Sequence, residues 1–305
     1  MADDDLARLD GLSTEGRLPE AAELDRLSTR EQVALMAEQD RRAVAAVDEA
    51  GAQLAEVVDL VAGRLAAGGR LIYVGAGTSG RLALLDAAEC GPTFGLEPGR
   101  VVAVMAGGDR ALGRALERGE DDEESGRTDL AAHEPGPDDV VIGVAASGRT
   151  PYVLAALRLA RSRGAVAVAI VNTAASPLTV EADLAVELLT GPEVISGSTR
   201  LKAGTSQKLA LNAISTLAMV KLGRTLGDLM VDVRATNDKL RRRARRIVSE
   251  ATGVDGAAAD EALTAADGSV KLAVVMLLGG HDAAEAARLL TSVDGHVRRA
   301  LDTGP

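Results

Sequence analysis

Two segments of this sequence combine the residue types that hold a phosphate. They are Gly75-Ala76-Gly77-Thr78-Ser79-Gly80-Arg81 and Ala145-Ala146-Ser147-Gly148-Arg149-Thr150-Pro151, and both contain Ser-Gly-Arg. Each follows a β-branched run and leads into a helical pattern, a junction where backbone N–H groups, hydroxyls and the positive end of the helix dipole converge. One such loop alone reads as a tight turn with a capping hydroxyl, the commoner use of Ser and Thr. The two together favour a phosphomonoester site lined by Gly77, Thr78, Ser79, Gly80, Ser147, Gly148 and Thr150. Arg81 and Arg149 either add charge to that phosphate or, one position into a helix, reach a surface carboxylate.

The first loop also spells G-x-G-x-x-G after a strand, the dinucleotide fingerprint. That reading wants an acid at the end of the second strand, but Met105-Ala106-Gly107-Gly108 stands there and Asp109 comes only after the glycines. Neither loop ends in the Lys-Ser/Thr of a nucleoside-triphosphate loop. Sugar-phosphate chemistry without a metal needs acid–base groups, and two carboxylates are candidates. Glu89 falls late in the helix that opens at the first loop. Glu120 heads the run Glu120-Asp121-Asp122-Glu123-Glu124, and on pattern alone it reads as part of a solvated acidic stretch. His133, His281 and His296 are far apart and lack cysteine partners, so no metal site is expected. Cys90 has no neighbouring His and reads as a small buried hydrophobe.

The elements that must position these residues follow from periodicity. Residues 1 to about 25 are polar and read as an arm. From Ser28 or Thr29, with Glu31 and Gln32 in the first turn, apolar residues recur at helical spacing through Val33, Met36, Val44 and Val47 to Leu65, predicting two helices or one long bent one. Five β-branched runs follow, at Arg70–Val74, Val101–Met105, Val140–Val144, Val166–Val171 and Leu184–Leu188, separated by crossover-length stretches. That alternation predicts a five-stranded parallel sheet flanked by helices, an α/β fold. An apolar helix at Lys202–Leu222 closes the unit. Beyond Asn237, glycines punctuate three helix-length segments rich in Ala, Asp and Arg, read as a small helical bundle. The expected division is residues 1–50 as arm and helix, 51–236 as the sheet domain and 237–305 as a UBA-like helical domain.

Composition narrows the function. Of 305 residues 47% are hydrophobic but only 1% aromatic, so Leu, Val, Ile and Ala must fill the core, which favours helices on a parallel sheet. A net charge of −11 disfavours nucleic acid and anionic membrane, and the basic run Lys239–Arg246 lacks the aromatics that would stack bases. The single cysteine suits a reducing compartment. The acidic start MADDDLARLD does not read as a signal peptide, and no apolar stretch approaches bilayer length. A cytoplasmic enzyme acting on a small anionic molecule is the expectation.

The residues also resemble a known family, the N-acetylmuramic acid 6-phosphate etherases, from about Leu12 to near the C-terminus. The resemblance is carried by YVGAGTSGRLALLDAAEC, PTFG, MAGG, EDDEESG, ASGRTPYV, GPEVISGSTRLKAGTSQKLALN and LMVDVRATNDKL, in that order. It implies a homodimer of the sugar isomerase (SIS) fold that uses no cofactor and cleaves the lactyl ether at C3 of the sugar. By resemblance Glu89 is the general acid and Glu120 the second catalytic carboxylate. The resemblance also implies that Glu193, Ser196, Ser198, Thr199 and Lys202 line the pocket, from this chain or its partner, since so polar a segment is costly to bury for packing alone. Two departures stand out: Cys90-Gly91-Pro92 where the family usually has Cys-Pro-Pro, which predicts a looser turn after Glu89, and Arg17-Leu18-Pro19 where it often has Arg-Asn-Pro. Two rivals on the same architecture are a sugar-phosphate-binding regulator without chemistry and an aldose–ketose isomerase.

Overall fold

The computed structural model describes residues 14–113, 119–233 and 238–303. The first half of the arm and the boundary residue Asn237 lie outside them.

The chain divides into two compact units, one of Met1–Ala87 with Gly99–Ser215 and one of Ala88–Pro98 with Thr216–Pro305. In the first unit helix α1 (Thr29–Glu49) begins at a capping box: the Ser28 side chain accepts from the Glu31 N–H, and Glu31 Oε2 accepts from the Ser28 N–H at 2.8 Å. Helix α2 (Gly51–Ala66) follows after a break at Ala50, so the two-helix reading holds.

The sheet comprises β1 (Leu71–Gly75), β2 (Val101–Met105), β3 (Val140–Ala145), β4 (Val166–Val171) and β5 (Leu184–Glu187), all parallel, in the order β2-β1-β3-β4-β5. Each observed strand lies within one residue of its predicted ends. The central strands β1 and β3 are buried along their whole length, as a parallel sheet covered by helices requires, while Val101, Val102 and Val166 are half-buried. One face packs on α4 (Glu123–Ala131), α5 (Pro151–Ser162) and α6 (Pro177–Glu181), with Ile72, Val74, Leu130, Val141, Val153, Leu157 and Leu178 at the centre of that core. Prolines at the first turn of α5 and α6 give up no helix hydrogen bond there.

Helix α3 (Gly77–Phe94) carries on through Gly91 and Pro92. The ring Cδ of a proline crowds both the N–H and the Cβ of the residue ahead of it, which pushes that residue out of the helical region. Glycine at 91 has no Cβ, which removes part of that clash, and the unbroken helix corrects the expectation of a looser turn. Helix α7 (Lys202–Lys221) matches the predicted closing helix.

Among the described residues of the second unit a hairpin of β6 (Thr225–Leu226) and β7 (Leu229–Met230) precedes five helices, not the three expected. They are α8 (Asp238–Thr252), α9 (Gly256–Ala265), α10 (Val270–Gly279), α11 (Ala283–Ser292) and α12 (Val297–Asp302), around a core of Ile247, Val248, Ala259, Val270, Val274, Ala286 and Val297. Among the described residues no single helix is long and apolar enough to cross a membrane.

Candidate functional site

Both hydroxyl-rich loops sit at the carboxyl end of the sheet. Strand β1 has β2 on one side and β3 on the other, so the winding of the sheet reverses between β1 and β3, and the loops leaving these two neighbours flank the reversal. Open parallel sheets bind ligands at such a switch point.

The first loop turns tightly because Gly75 and Gly80 meet backbone to backbone. A Cβ on Gly80 would lie 2.8 Å from the Gly75 oxygen and 2.5 Å from Met105 Cγ. Thr78 is half-buried, and its methyl would stand 3.3 Å from a Cβ on Gly204, whose N–H donates to the Thr199 carbonyl. Thr78 and Thr199 are thereby brought to one place at the start of α7. In the second loop Gly148 has φ +62° and lies so close to Ser176 that a Cβ would fall 2.1 Å from its Oγ. The Ser147 hydroxyl accepts from the Arg149 N–H at 3.3 Å, and Thr150 precedes α5 without capping it through its side chain. A simple capping hydroxyl therefore does not account for Thr150.

Several polar residues that the sequence reading missed hold the loops. The Ser79 hydroxyl donates to Gln207 Oε1 at 2.8 Å, Gln207 Nε2 donates to Asn172 Oδ1 at 2.9 Å, and the Asn172 N–H donates to the Ala146 carbonyl at 2.9 Å, so both loops are tied to the end of β4. Asp86, on α3, is 5% exposed and accepts from Tyr73 Oη at 2.9 Å, Asn212 Nδ2 at 2.6 Å and Ser215 Oγ at 3.0 Å. Burial pushes its carboxyl above the usual range, against the pull of those donors. Asn212 and Ser215 stand out in the sequence because they fall within the apolar run 209–220 of α7, whereas Gln207 lies in a polar first turn and does not.

The candidate charges take different places. Arg81 donates to the Ala111 carbonyl at 2.8 Å and to the Leu112 carbonyl at 3.4 Å, which holds the loop after β2. Arg149 is exposed. Glu120 sits exposed on a 3-10 turn, Gly119–Asp121, where Gly119 packs against Ala106 just past the end of β2. Asp122, which the sequence reading placed in a solvated run, caps α4 by accepting from the Ser125 N–H at 2.9 Å. Glu89, in the second unit, lies exposed on α3.

Glu193 and Lys202 are buried at 1% and 2% exposure. Glu193 caps α7, accepting from the N–H groups of Ala203 at 2.9 Å and Lys202 at 3.2 Å, while Lys202 Nζ donates to Gln39 Oε1 at 2.6 Å. Burial raises the Glu193 pKa and lowers that of Lys202. Glu193 and Ser196 also border a cavity of about 540 Å³ with Arg17, Leu18, Gln32 and Met36. The Ser196 hydroxyl donates to the carbonyls of Glu15 and Gly16, both at 3.2 Å. Ser198 is half-buried in the turn before α7.

A doubly wound parallel sheet with paired Ser/Thr/Gly loops at its switch point is the architecture of the SIS domain. The SIS domain model matches residues 129–217, and that of the glucokinase regulatory protein N-terminal SIS domain matches residues 53–161. Over 273 residues the chain is 55% identical to an N-acetylmuramic acid 6-phosphate etherase of Rubrobacter xylanophilus, covering 90% of this chain and 91% of that one. An enzyme of the same name from Streptomyces avermitilis is 51% identical over 299 residues, 98% of this chain and 96% of the relative. A solved phosphoheptose isomerase from Francisella tularensis is 17% identical, with 63% of this chain and 98% of its own matched at a TM-score of 0.49. The chain belongs to the N-acetylmuramic acid 6-phosphate etherase family.

Proposed function

We propose that this protein cleaves the D-lactyl ether of N-acetylmuramic acid 6-phosphate, releasing N-acetylglucosamine 6-phosphate and D-lactate by elimination followed by hydration. The observation that carries the reading is 55% identity, sustained over nine-tenths of both chains, to a relative of that name. In this reading the sugar phosphate is held by the backbone N–H groups and hydroxyls of the 77–81 and 147–150 loops, whose position at the switch point supports the assignment.

With the sugar ring open, the C1 aldehyde acidifies the proton on C2. Glu120 removes that proton; the C2–C3 double bond forms as the C3–O bond breaks, and Glu89 delivers a proton to the departing lactate oxygen. Water then adds at C3 of the unsaturated aldehyde. No step calls for a metal or an organic cofactor. Exposure of both carboxylates in the single chain fits a site that a second copy completes, and we take the working form to be a cytoplasmic homodimer.

The test is D-lactate release from the phosphorylated substrate in metal-free buffer, beside Glu89→Ala and Glu120→Ala. Each acid–base role contributes about 10²- to 10⁴-fold, so each variant is expected to lose at least a hundredfold in turnover. Tight binding of substrate without lactate release by the parent would instead make the protein a sugar-phosphate sensor.

A further inference from the structure

The hydrogen bonds behind the first loop run in one direction only, and a backbone carbonyl sets that direction. Asn172 faces the Leu188 carbonyl at 2.9 Å and Ser206 Oγ at 2.9 Å. A carbonyl can only accept, so Asn172 must turn its NH₂ to Leu188 and its Oδ1 to Gln207. The Ser206 hydrogen goes to the Ala203 carbonyl at 2.8 Å, which leaves that oxygen free to accept from Asn172. Gln207 must then donate through Nε2, which turns its Oε1 toward Ser79 Oγ, 2.8 Å away. Two oxygens at that distance require a hydrogen between them, and Ser79 alone supplies it. Ser79, Asn172, Ser206 and Gln207 are all at most 9% exposed, so water does not relieve the constraint.

We infer that Gln207, with Asn172 behind it, is a positioning residue: it commits the only hydroxyl hydrogen of Ser79 to the protein interior. Ser79 therefore anchors the loop and gives no hydrogen to the ligand, and the phosphate at this loop is held by backbone N–H groups and Thr78. The inference rests on the reading of the loop as a phosphate site.

Inorganic phosphate, as a competitive inhibitor of lactate release by the full-length enzyme, separates the possibilities. Ki, KM and kcat are measured for the parent, Ser79→Ala, Gln207→Met and the double variant. If Ser79 and Gln207 act as one unit, each single change raises Ki and KM by the same factor with kcat nearly unchanged, and the double variant is no worse than either. A direct hydroxyl-to-phosphate bond is charge-assisted, and its loss would raise Ki by about tenfold to a hundredfold. Such a rise in Ser79→Ala with a much smaller one in Gln207→Met, and effects that multiply in the double variant, would overturn the inference while leaving the phosphate site in place. Should Gln207→Met fail to fold, Ser79→Ala decides alone: a rise of about tenfold or more overturns the inference, and a smaller one supports it. Phosphate that does not inhibit the parent would instead overturn the phosphate reading, and the inference with it.

Discussion

Replacing Asp86 by alanine tests the account of how α3 is held. The change takes the acceptor from two buried donors, Tyr73 Oη at 2.9 Å and Ser215 Oγ at 3.0 Å, and from half-buried Asn212 Nδ2 at 2.6 Å. A buried donor left without an acceptor costs about 1–3 kcal/mol. Removing the carboxylate also removes its own burial penalty, so the low end applies to each buried donor and, with a smaller part from half-buried Asn212, the sum is roughly 2–3 kcal/mol. That is a large part of the ~5–15 kcal/mol that holds a domain folded. Urea unfolding should show a lower midpoint at unchanged slope. The pH dependence supplies a second check. Burial raises the folded pKa of Asp86 above the unfolded value of about 3.9, so the folded chain binds more protons between the two. The stability Asp86 contributes is then fully present below about pH 3.9 and falls as pH rises through the folded pKa. The destabilisation in Asp86→Ala should accordingly be greater at about pH 4 than at pH 8. A loss under 1 kcal/mol, or one that grows with pH, would refute the reasoning.

Three further outcomes are expected. Gly148→Ala must accept a left-handed backbone and a contact with Ser176 Oγ, together about 2–4 kcal/mol by chemical denaturation, with a raised KM for the phosphorylated substrate. Glu193→Gln should cost about 1–2 kcal/mol through the weakened cap on α7; because burial raises the Glu193 pKa, the parent should lose stability relative to this variant as pH climbs from 4.5, measured by thermal unfolding. Glu89→Gln and Glu120→Gln, at exposed positions, should leave stability within about 0.5 kcal/mol even where turnover collapses.

The sheet was legible because each strand is a β-branched run between helical stretches, a local signal that burial on both faces reinforces. The hairpin at 225–230 escaped notice because its strands are two residues each, too short for any period. The C-terminal count fell short because breaks such as that at Gly295 lie between segments of only six to ten residues. Within the site, hydroxyl and glycine patterns marked both loops, but Gln207 and Asn172 were invisible as partners. They lie 35 residues apart, and only the return of α7 across the ends of the strands makes them neighbours. Arg81 shows another limit: nothing in its spacing announced that it would donate to the Ala111 and Leu112 carbonyls of the loop after β2.

The near absence of aromatic residues has an optical consequence. The sequence has no tryptophan, and its two tyrosines, Tyr73 and Tyr152, are both fully buried in the first unit, each donating to a carboxylate, Asp86 or Asp129. Absorbance at 280 nm therefore badly underreports the amount of protein in a sample. Ultraviolet emission, on the other hand, comes from two known positions, and it follows the melting of the sheet alone. Unfolding of the helical second unit passes unseen by that signal, and far-ultraviolet circular dichroism registers it, so divergence of the two curves would reveal the units coming apart in sequence.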